Sequence, residues 1–141
     1  MSLSRSNGAP YPLGTNQPEL IQSRTGVKFE DVTLDAIRRG EVGSDDLTIR
    51  ADTLRLQADA AVAGGYQQLA ENLRRAAELV NVPNDRLLEI YEALRPRRST
   101  YAEMMALCEE LETTFDAPAN AAFVRQAAEA YRDAQLLKAE D

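Results

Sequence analysis

At 141 residues the chain suits one compact domain. Apolar residues make up 44% of it, mostly Ala and Leu, and no run of β-branched and aromatic residues is long enough for a half-buried strand, so a sheet protein is excluded and an all-α fold expected. A net charge of −7 repels phosphate backbones and argues against nucleic acid as a partner; no apolar stretch reaches bilayer length, so a soluble, cytoplasmic protein without membrane contact is expected.

Residues 1–31 read as an extended N-terminal arm. Pro10, Pro12 and Pro18 remove donors and fix φ, Gly8, Gly14 and Gly26 favour turns, and Tyr11, Leu13, Leu20, Ile21, Val27 and Phe29 follow no helical period. Such a segment either stays loose or straps onto another surface. Residues 32–141 read as a small helical domain, giving about four to six helices in all.

Thr33 caps a short helix that stops at Gly40, and Ser44 caps a turn through Leu47. A helix from Ala51 to Ala63 carries Leu54, Ala58, Ala61 and Val62 on one face and ends at Gly64-Gly65. The next, from Tyr66 to Val80, turns Leu69, Leu73, Ala76, Ala77 and Val80 inward. Pro83 opens a helix with the stripe Leu87, Ile90, Tyr91 and Leu94, and Pro96 ends it. Thr100 and Glu103 form a capping box ahead of the stripe Tyr101, Met104, Cys108, Leu111 and Phe115. Pro118 opens a last helix with Ala121, Val124, Ala128 and Tyr131 on its apolar face. Short loops make sequential helices pack antiparallel or at an angle.

The chain has no His, which excludes a His-activated nucleophile, His-based zinc sites and Glu-x-x-His di-iron sites within it. Gly64-Gly65 lacks the Lys and Ser/Thr of a phosphate-cradling loop and reads as a helix break. Glu109, Glu110 and Glu112 read as a solvated face, and Cys108, the single cysteine, as a buried small hydrophobe that can form no intrachain disulfide. No catalytic, cofactor-binding or metal-ligating residue is therefore expected. All basic residues except Lys28 and Lys138 are Arg, a bias that genomic base composition and selection for interfaces explain equally well. Arg95, Arg97 and Arg98 around Pro96 are the sharpest basic cluster; they either complement a helix C-terminus or anchor partner carboxylates. With Tyr11, Pro12 and Leu13 of the arm they make up the candidate partner interface.

The run from Val82 to Thr100, Val-Pro-Asn-Asp-Arg-Leu-Leu-Glu-Ile-Tyr-Glu-Ala-Leu-Arg-Pro-Arg-Arg-Ser-Thr, resembles the signature of the small (gamma) subunit of adenosylcobalamin-dependent diol and glycerol dehydratases. The resemblance extends through Tyr11-Pro12-Leu13, the segment from Asp52 to Ala58, Arg75 to Leu79, and Ala121 to Arg125. It implies a heterohexamer of two large (alpha), two medium (beta) and two small subunits. That enzyme converts propane-1,2-diol to propanal, or glycerol to 3-hydroxypropanal, by radical chemistry begun at the cobalt–carbon bond. It further implies that the large subunit's barrel carries the catalytic residues. Adenosylcobalamin lies between the large and medium subunits and is not bound by this chain, a helical cap on the large subunit. Some small subunits of this family carry a longer N-terminal extension linked to packaging in bacterial microcompartments; ten residues precede Tyr11 here, closer to the glycerol dehydratase type. A freestanding helical adaptor or regulatory protein is the alternative.

Overall fold

The structure, a computed structural model, describes residues 11–139. The first ten residues of the expected arm and the last two of the chain lie outside the described residues. Among those described the fold is all-α, with helices α1 (Leu13–Asn16), α2 (Leu34–Arg38), α3 (Ala51–Ala63), α4 (Gln67–Leu79), α5 (Asn84–Ala93), α6 (Tyr101–Thr113) and α7 (Pro118–Asp133). Single 3₁₀ turns lie at Pro18–Leu20, Phe29–Asp31 and Ser44–Leu47. The chain divides into two compact units, Met1–Val80 and Asn81–Asp141.

In the first unit, α3 and α4 form a helical hairpin. Ala58 and Ala70 are fully buried and Ala61 nearly so, with Val62 and Leu73 packed against them; small side chains let the two backbones approach closely. Arg74 on α4 reaches Asp59 on α3 at 3.3 Å. Gly64-Gly65 does break the helix. Gly65 takes φ 83° while the N–H groups of Gly65 and Tyr66 donate to the carbonyls of Val62 and Ala61, which satisfies the open end of α3.

Two expectations for inward positions need correction here. Leu69 is 50% exposed and Ala76 is exposed, while Ala70 and Ala77 are buried. Leu73 and Ala77 face inward as expected, but Ala70 replaces Leu69 against α3, because close alanine contact rather than the bulk of leucine sets the helix rotation there.

The described part of the arm folds back on itself. Gln22 and Lys28 form an isolated antiparallel bridge around a turn closed by Gly26 N–H to the Ser23 carbonyl, with Gly26 at φ 96°. A Cβ on Gly14 would lie 3.3 Å from the Phe29 ring, so glycine is what lets the ring cover α1. Helix α1 was not expected, being only four residues long. Ser44 is the first residue of its 3₁₀ turn and not its cap; the Asp46 carboxylate serves the N–H of Gly43 instead. Thr33 caps α2 as expected, accepting from Ala36 N–H at 3.1 Å.

In the second unit, α6 and α7 pack through Met104, Cys108 and Leu111 on one side and Ala121, Val124 and Ala128 on the other, all at most 3% exposed. The capping box is formed: Glu103 N–H donates to the Thr100 hydroxyl at 3.2 Å and Thr100 N–H to the Glu103 carboxylate at 2.8 Å. Arg132 on α7 lies over the Tyr101 ring of α6, 5.3 Å from its centroid. Helix α5 buries Ile90 and is tied to α6 by Arg86, which grips both oxygens of Glu110 and also meets Glu89. Tyr91, expected inward, is 62% exposed. The stripe Leu87–Ile90–Leu94 already fills the inner face, and Tyr91 is turned about 100° away from Ile90.

Candidate docking surfaces

Of the reactive groups singled out in the sequence, Cys108 is enclosed, Glu110 and Glu112 are paired, and Glu109 is exposed. Cys108 is 0% exposed, and burial pushes its thiol pKa up, away from the reactive thiolate. The Glu110 carboxylate is held by Arg86, whose guanidinium is in turn driven upward in pKa by Glu110 first and Glu89 second. Glu112 pairs with Arg125 on α7 at 3.1 Å. Among the described residues no group of three or more His, Cys, Asp or Glu is placed to hold a metal ion, and no helix is long and apolar enough to cross a membrane.

Large apolar side chains, by contrast, remain at the surface. In the first unit Tyr11 (72% exposed), Tyr66 (66%) and Leu69 (50%) line a hollow of about 350 Å³ with Ala60, Ala61 and Leu73. Leu34 and Ile37, one turn apart on α2, are also exposed, as are Leu47 and Ile49. In the second unit Leu88 and Tyr91 stand one turn apart on the outer face of α5. Side chains of this size rarely stay together in water without a partner.

The arm residues of the candidate interface separate in their roles. Tyr11 and Pro12 are exposed, but Leu13 is 4% exposed and is spent inside its own unit. The hinge of the arm is Ser23, itself 6% exposed. Its hydroxyl donates to Asp46 at 2.8 Å and accepts from Val27 N–H at 2.9 Å, and Thr25 also donates to Asp46. The Thr25 hydroxyl, the Gly43 N–H and the Ser23 hydroxyl, in that order, hold the Asp46 carboxyl below its ordinary pKa. Asp46 thus locks the arm's turn onto the segment that leads into α3.

The basic cluster also separates. Arg95 and Arg98 both meet Glu92, at 3.0 and 3.3 Å, whereas Arg97 follows Pro96 in a left-handed backbone conformation, φ 64°, with its side chain exposed. Sequence reasoning did not single out Tyr66, Leu69, Leu88 or Tyr91 as surface groups. For Leu88 the signal was present, since it falls out of phase with Leu87, Ile90 and Leu94 on the same helix; Tyr91 is in phase with them and gave no such signal.

The family model described as dehydratase small subunit matches residues 7–138. The propanediol dehydratase small subunit of Citrobacter freundii is 46% identical over 131 residues, which cover 93% of this chain and 76% of that protein. The propanediol dehydratase small subunit of Salmonella typhimurium (strain LT2) is 45% identical over the same length and coverage.

Proposed function

The chain belongs to the dehydratase small-subunit family, and from that premise we propose that it is the non-catalytic small subunit of a coenzyme B12-dependent propanediol or glycerol dehydratase, docking on the large catalytic subunit and stabilising it. The observation that supports a docking role is the exposed apolar surface around Tyr11, Tyr66 and Leu69, on a chain whose thiol is enclosed and whose clustered glutamates Glu110 and Glu112 are paired. A protein that binds only the folded form of a partner raises that partner's stability by mass action, without contributing to its chemistry.

In this reading the large and medium subunits are the partners, two copies of each of the three chains make the complex, and adenosylcobalamin is held between the large and medium subunits. The cofactor supplies the radical that removes a substrate hydrogen. The donor set of this chain does not suit a cobalt ligand, since it has no His and its one thiol is enclosed; no step is assigned to its residues. The complex works in the cytoplasm or inside a bacterial microcompartment.

Co-expression with tagged large and medium subunits tests the proposal. The chain should co-purify with them in equal amounts, and the chain alone should give no aldehyde from propane-1,2-diol or glycerol with adenosylcobalamin present. Turnover by the isolated chain would refute the non-catalytic role; absence from the purified complex would refute the docking role and favour a freestanding adaptor.

A further inference from the structure

The turn after α5 and the tail after α7 bring two cations to one joint. Residues 95–98 form a β-turn closed by Arg98 N–H to the Arg95 carbonyl at 3.2 Å, with Pro96 second and Arg97 third. Arg97, at φ 64°, occupies the position that a type II turn ordinarily gives to Gly, because a left-handed backbone crowds a Cβ.

The joint is fixed from several sides. Arg97 N–H donates to the Leu136 carbonyl at 2.7 Å and Lys138 N–H to the Ser99 carbonyl at 2.9 Å. The Ser99 hydroxyl donates to the Ala93 carbonyl and the Tyr131 hydroxyl to the Leu94 carbonyl, each at 2.8 Å. Arg97 and Lys138 are therefore neighbours through the backbone, and both side chains are exposed.

Among the described residues neither has an ion-pair partner. The other cations of this unit do: Arg86 faces Glu89 and Glu110, Arg95 and Arg98 share Glu92, Arg125 faces Glu112, and Arg132 faces Asp133. Among the described residues these two charges are left open to solvent on a fixed backbone, available to a carboxylate of a partner.

We propose that Arg97 and Lys138 form a two-point anchor for a carboxylate-bearing segment of another dehydratase subunit, an inference that rests on the docking role proposed above. A protein carboxylate fits better than a free phosphate. Both backbone N–H groups at the joint are already spent on carbonyls, so no concave nest of donors is left to cradle a phosphate. Glycine would serve the turn with less strain, and the guanidinium is what glycine would lack.

The test is the affinity of the full-length chain for the large and medium subunits expressed without it, measured for wild type, Arg97→Gly, Lys138→Gln and the double variant. Each single change should weaken binding by on the order of fivefold and the double by more than tenfold, with a shallower dependence on salt. Arg95→Gln and Arg98→Gln should stay within about twofold of wild type, because both guanidiniums are held against Glu92 of their own chain. Arg97→Gly should leave the melting temperature of the chain unchanged or raised, which separates loss of an anchor from loss of fold. A double variant that binds as tightly as wild type overturns the anchor and leaves the docking role standing. A wild-type chain that does not bind at all overturns both.

Discussion

At the scale of single residues, Asp46, Arg86 and Cys108 show how the chain uses its few reactive groups for structure. Asp46 has its carboxyl pKa held below the ordinary 3.8 by hydroxyl and amide donors. A carboxylate whose pKa is depressed on folding adds stability above its unfolded pKa and loses it as pH falls through the folded value. Asp46→Asn should therefore loosen the arm at about pH 6, and the difference from wild type should shrink as pH falls below the ordinary carboxylate range, as read from thermal melts of both proteins across that range. Cys108 should resist a thiol reagent in the native chain and react at a rate that tracks unfolding. Fast native labelling would contradict its enclosure. Arg86 grips Glu110 with two nitrogens at the edge of the second unit. With side chains about one-third exposed, Arg86→Ala should cost about 1 kcal/mol in denaturant unfolding.

At the scale of elements, the punctuation of the helices was readable from the sequence because it is local chemistry. Thr33, Gly64-Gly65, the Thr100/Glu103 box and Pro118 each act within one turn, and each stands where expected. Thr100→Ala should lower stability by about 1 kcal/mol, since it strips the acceptor from Glu103 N–H. Helix rotation was less legible. An Ala-rich helix such as α4 offers several apolar faces of similar strength, and contact with α3 chooses among them, which is why Ala70 and not Leu69 is inside. The arm was harder still, for its order rests on Ser23–Asp46 and Gly14–Phe29 contacts between residues with no periodic signal. Gly14→Val should push the Phe29 ring off α1 and cost about 1–3 kcal/mol by overpacking, while leaving the circular dichroism of α3 and α4 in place.

At the scale of the whole molecule, the proposed docking role gives the exposed apolar side chains a use. Tyr11, Tyr66, Leu69, Leu88 and Tyr91 are exposed, while Cys108 is enclosed and Glu110 and Glu112 are paired. The interface anticipated from Tyr11, Pro12, Leu13, Arg95, Arg97 and Arg98 was assembled from sequence neighbours. Lys138 beside Arg97 was hidden because only the fold joins the tail to the turn. The most direct test of the docking account is a titration of this chain into large and medium subunits prepared without it, read as the half-life of dehydratase activity at a fixed elevated temperature. The account predicts a saturable lengthening that levels off at one chain per large subunit; a half-life that stays the same at every ratio would contradict it.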